Sequence, residues 1–159
     1  MKYFEKLEKN PYEDLKWNIP ERKQGIINVV GGNAQSFRTE VKVAEFLAEN
    51  YPLEAVGVVF PNALQGKLPP VPGLKFLQST ESGSFADSEE LAEVFNAADY
   101  SLLMGALSKN AVTGRAVASA CEATEKPLLI TRDSVGIVTA WRPDVLLMNE
   151  NAVFLASLP

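Results

Sequence analysis

Six short apolar runs recur along this chain, and most are followed by a turn and then by a stretch with helical spacing. Ile26–Val30, Ala55–Phe60, Leu74–Ser79, Tyr100–Met104, Pro127–Thr131 and Asp144–Met148 read as strands. They are short and largely apolar, and crossover helices between them would bury both faces of the sheet. Parallel neighbours need a crossover connection, and the intervening segments are long enough to supply helices. The expected fold class is therefore α/β: three layers, with a mostly parallel sheet of about six strands between helices.

The helical segments carry their own signals. From Ser36 to Asn50 apolar residues recur at Phe37, Val41, Ala44 and Ala48. Asp87 is placed to cap a helix with Glu90 three residues on, and Leu91, Val94, Phe95 and Ala98 form its buried face. Pro61 to Lys67 predicts a short helix, Ser108 to Thr124 a longer one, and Asn149 or Asn151 is expected to cap a closing helix through Val153, Phe154 and Leu155. Residues 1–24 read as a charged helical extension and polar linker, and residues 25–159 as the α/β domain.

Composition narrows the chemistry. The 159 residues include no histidine and a single cysteine, Cys121, which removes Ser-His-Asp and Cys-His catalysis, histidine-ligated zinc and internal disulfides. Cys121 lies in the stripe Val117, Ala120, Cys121, Thr124 and reads as core. A formal charge of -5 repels phosphate backbones, so no nucleic-acid partner is expected. The first ten residues, MKYFEKLEKN, lack the apolar stretch of a secretory signal, and no run approaches the ~20 residues that span a bilayer. The expected location is cytoplasmic, with no membrane partner.

In an open parallel sheet, ligands bind beyond the carboxyl ends of the strands. The candidate ligand-binding residues are therefore those following the strands: Gly31, Gly32, Asn33, Gly105, Asp133 and Asn149. Glycines after the first strand allow a close backbone approach, and the next helix start attracts an anion. The same glycines also suit a tight turn, and Asp133 and Asn149 also suit helix caps; these alternatives stay open. Neither GxGxxG nor GxxxxGK[ST] occurs.

Taken in order, these blocks resemble a known family. Val29-Val30-Gly31-Gly32-Asn33, Val58 to Leu64, Ala98 to Gly105, Pro127 to Val135 and Val145 to Glu150 are similar to successive segments in the first half of the ribokinase-like ADP- or ATP-dependent NAD(P)H-hydrate dehydratases. The resemblance implies a ribokinase-like, Rossmann-like core and ADP or ATP with magnesium as cofactor. It does not imply an active enzyme, because the family's NxGxGD motif, with its catalytic Asp, has no counterpart here. Leu107 replaces a family glycine and is expected to obstruct the ligand, while Arg38 and Thr39 stand at substrate positions.

The expected function is a reduced homologue, non-catalytic alone, that binds a nucleotide or small anionic ligand at the rim. The alternatives are an enzyme completed by another chain, and an interaction module. A sheet that continues in the family but stops here predicts an uncovered apolar surface. Self-association into a homo-oligomer, or the segment Met1 to Trp17, is expected to cover it.

Overall fold

The computed structural model describes residues 25–68, 71–105, 107–145 and 149–155, apart from the side chains of Arg132 and Asp133. The extension at 1–24 lies outside them. Strands β1 (Ile26–Gly31), β2 (Ala55–Pro61), β3 (Leu74–Leu77), β4 (Tyr100–Met104), β5 (Leu128–Ile130) and β6 (Ala152–Phe154) alternate with helices α1 (Arg38–Asn50), α2 (Ser88–Asn96), α3 (Ala111–Glu122) and α4 (Arg132–Trp141). A 3-10 turn at Asn62–Leu64 stands where the short helix from Pro61 is expected. Every strand pairing is parallel, in the spatial order β3-β2-β1-β4-β5-β6.

This order follows from two runs of right-handed crossovers. From β1 the chain moves one way through α1 to β2 and β3. After β3 it returns across the sheet and moves the other way, so α2, α3 and α4 share the opposite face, where they pack successively against one another. The sheet separates two apolar clusters. One joins Val29, Val58, Phe60 and Met104 with Ala44 of α1. The other joins Val30, Leu103 and Ile130 with Phe95, Val117, Cys121 and Val138 of the remaining helices. Cys121 is core filling, as expected, and burial pushes its thiol up to about 12.

Local chemistry sets the helix ends. Tyr51, extended because Pro52 follows it, ends α1 with φ -126° and ψ 143°. The Asp87 carboxylate accepts from the Glu89 and Glu90 amides at 2.8 and 3.0 Å, capping α2. Glu90 does not complete the reciprocal box; its Oε2 accepts from the Gln78 amide at 2.8 Å and ties α2 to the end of β3. Asn110 caps α3, accepting from the Thr113 amide at 2.8 Å. Substituting Asp87 with Ala is expected to lower stability by ~1 kcal/mol, read as a shift of the urea midpoint with unchanged slope.

The sixth strand departs from expectation. Val145 is buried and belongs to a helical turn, since its carbonyl accepts from the Asn149 amide at 2.9 Å. The strand is instead Ala152–Phe154, where a closing helix is expected, paired with β5 from Leu128↔Ala152 to Ile130↔Phe154. Among the described residues no helix is long and apolar enough to cross a membrane.

Candidate functional site

Where the winding direction reverses, the loops after β1 and β4 leave on opposite faces, and the carboxyl ends of those strands flank the position of the ligand crevice of a doubly wound sheet. Gly31 is in register with Met104 there, and a Cβ on Gly31 would overlap the Met104 carbonyl. Gly32 and Gly105 both take positive φ, +77° and +81°. Such values are cheap only for glycine. A Cβ on Gly32 would lie 3.0 Å from both the Phe60 ring and the Ser36 carbonyl oxygen.

The space between these glycines is filled by Glu40, the third residue of α1. Its side chain runs past Gly31, and its Oε1 occupies the position a Gly105 Cβ would need. Glu40 is 1% exposed, and neither carboxyl oxygen has a hydrogen-bond partner. Burial pushes its pKa above the ordinary carboxylate range; its own amide and that of Gly32, close by but outside hydrogen-bonding geometry, pull it the other way. The chain's own acid therefore occupies the place beside a glycine turn that an anionic ligand group would otherwise take.

A loop from Thr80 to Phe85 closes over the rim. The Gly83 carbonyl accepts from the Ala34 amide at 3.0 Å, on the β1 side. On the β4 side, Ser82 Oγ accepts from Asn110 Nδ2 at 2.8 Å, and the Phe85 carbonyl accepts from Thr113 Oγ1 at 3.0 Å. The loop thus bridges the two halves of the sheet directly above the crevice.

The structure brings together three of the residues singled out from the sequence: Gly31, Gly32 and Gly105. Asn33 follows them, but its Oδ1 accepts from the Gln35 and Ser36 amides at 2.9 and 3.1 Å and so shapes the turn. Asp133 is the second residue of α4, at the same end of the sheet, with its side chain outside those described. Leu107 does not obstruct the crevice. It is buried in the core cluster that contains Phe85.

Asn149 is at the opposite end of the sheet, because the last strand is Ala152–Phe154, after it, rather than Asp144–Met148, before it. Buried at 5% exposure, it donates through Nδ2 to the Cys121 and Thr124 carbonyls, both at 2.9 Å, and accepts from the Asn151 amide at 2.9 Å. It clamps the start of β6 to the end of α3. Asn149→Ala leaves three polar groups without this partner and is expected to cost about 2 kcal/mol in chemical denaturation.

Glu40 is the residue that sequence reasoning missed. A signal was present: Phe37, Glu40, Val41 and Ala44 share the i, i+3, i+4, i+7 spacing of the buried stripe, so one acid sits on an apolar face. Among the described residues no cluster of three or more His, Cys, Asp or Glu could hold a metal ion.

No family model matches this sequence, and no curated protein matches it either. Among solved structures, the chain is similar to the Bordetella bronchiseptica enzyme WbmG in complex with NAD, with a TM-score of 0.51 and 20% identity. The fold is Rossmann-like. The match covers 87% of this chain and 54% of WbmG, so the chain spans about half the length of that enzyme. This corrects the ribokinase-like hydrate-dehydratase resemblance, and the expectation of ADP or ATP with magnesium falls with it: the similar structure is an enzyme complexed with NAD. The blocks that carried the resemblance are a strand followed by a small or polar corner, a pattern that every βα unit of a doubly wound sheet repeats.

Proposed function

We propose that this chain is a small-molecule binding module whose ligand, a nucleotide-type molecule, is taken in the crevice between β1 and β4, and that alone it binds rather than catalyses. One observation carries the reading: the buried Glu40 carboxyl, with both oxygens unpartnered, lies between two positive-φ glycines where the winding reverses. A buried acceptor left unpaired costs ~1–3 kcal/mol, and a ligand donor satisfies it when the carboxyl turns outward from between the glycines to meet the ligand at the rim.

The Glu40 carboxyl accepts hydrogen bonds in either protonation state and repels phosphate when ionised, so the group set against it is a sugar hydroxyl or an amide N–H. The NAD complex of WbmG supports a ligand of nucleotide type. The described neighbours Gly31, Gly32, Met104 and Gly105 offer only backbone and apolar atoms. General acid–base chemistry needs a second proton-transfer group within reach, and none of these four supplies one.

The test is Glu40→Gln, which keeps the shape and removes the charge. In the parent, NAD and adenosine are expected to raise Tm while pyrophosphate alone does not, and calorimetry is expected to show at least tenfold weaker binding to the variant. Absence of a Tm shift with any nucleotide would overturn the reading. The variant also predicts a pH effect whose sign follows from burial. With a folded value raised above the unfolded 4.5, the Glu40 proton stabilises the fold fully below that pH, and this is lost as pH rises through the folded value. The stability advantage of Glu40→Gln over the parent should therefore grow from about pH 4.5 upward.

A further inference from the structure

The face of the sheet that carries α1 is covered over β1, β2 and the Met104 end of β4, and is open over Tyr100 at the start of β4 and over β5 and β6, because α2, α3 and α4 all pack on the other side. Tyr100 of β4 and Val153 of β6 are 55% and 56% exposed. Together with Ile27, Leu47, Leu102 and Leu129 they line an apolar groove of about 430 Å³. Phe46 and Tyr51, both more than half exposed, stand at the α1 end of this face, their rings edge-on at 6.2 Å. A contiguous apolar surface of this kind marks an interaction site.

We propose that the chain's own residues 1–24 occupy this face. They join the domain at Gly25, which lines a second cavity with Asp99, Tyr51 and Leu53; that cavity shares Ile27 and Tyr100 with the groove. The segment therefore starts at the mouth of the surface it covers. Reaching β6 from β1 crosses three strand spacings, ~14 Å, which about five extended residues span. Most of the 24 residues are then available as cover.

The sequence of the segment suits the surface. It carries Phe4, Leu7, Leu15, Trp17 and Ile19 for an apolar contact. Its last basic pair, Arg22 and Lys23, adjoins the point where Glu54 and Asp99 flank Gly25. Opposite charges in these positions would weakly favour an exit toward the groove.

The test uses the full chain with Trp141→Phe, which leaves Trp17 as the sole tryptophan. The expected result is blue-shifted Trp17 emission with several-fold protection from acrylamide, in a species that sediments as a monomer at all concentrations. Val153→Asp, at a position exposed enough to accept the charge, is expected to shift the emission red and raise the quenching constant several-fold with unchanged circular dichroism. Quenching as free as that of a model indole before any groove substitution overturns the proposal. So does a concentration-dependent dimer that Val153→Asp dissociates, which would make a second copy the occupant.

Discussion

Gly31→Ala is expected to lower stability by roughly 3–5 kcal/mol, the largest effect among the glycine-to-alanine changes. The new Cβ would overlap the Met104 carbonyl oxygen, with the carbonyl carbon 2.9 Å away and Glu40 Cγ at 3.3 Å. A side chain in its path could rotate aside, but β4 cannot retreat: it is held between β1 and β5. The two central strands must separate where their register ends, and a thermal melt should show Tm lower by roughly 10 °C. Gly136→Ala is the control. A Cβ there meets nothing within 4 Å, so replacing this α4 glycine should stabilise by ~0.5–1 kcal/mol.

Gly105→Ala is expected to cost about 3 kcal/mol, and here the origin can be divided. Part is the left-handed backbone, since alanine at φ +81° is strained by roughly 1 kcal/mol or more. The rest is the collision with Glu40, whose Oε1 overlaps the added methyl and whose Cδ would be 2.7 Å from it. In the Glu40→Ala background the second part disappears. A urea double-mutant cycle should therefore show ~1–2 kcal/mol of favourable coupling, with the backbone share unchanged. Strict additivity would show that the Glu40 carboxyl swings away at negligible cost and that the crevice is less tightly filled than its geometry indicates.

Much of the fold was legible because the strands of a parallel sheet are short, largely apolar runs set between helical segments. Ile26–Val30, Ala55–Phe60 and Tyr100–Met104 are such runs, and each is a strand within one residue of its expected bounds. Asp87 was legible as a cap because its acceptor chemistry is local. The last strand was not, since β6 has three residues and only the partly buried Phe154 packs against the core, while the more apolar 144–148 drew the assignment. Asn149 followed that error to the wrong end of the sheet. Gly31, Gly32 and Gly105 were legible as rim residues from their positions after strands. Glu40 was hidden because an acid in the first turn of a helix normally faces water and complements the helix dipole. Only the tertiary approach of Gly105 shows that it faces inward.

The all-parallel arrangement also governs how the chain must find its shape. No hairpin exists among the six strands, so no strand pair can zip from a tight turn. The central pairing, Ile27 with Tyr100, joins residues more than seventy positions apart and closes a loop that contains β2, β3 and two helices. Such distant closure loses chain entropy before any contact rewards it, which places this domain among slow folders with high contact order. During that delay the apolar strands are unshielded, so refolding yield should fall steeply as protein concentration rises.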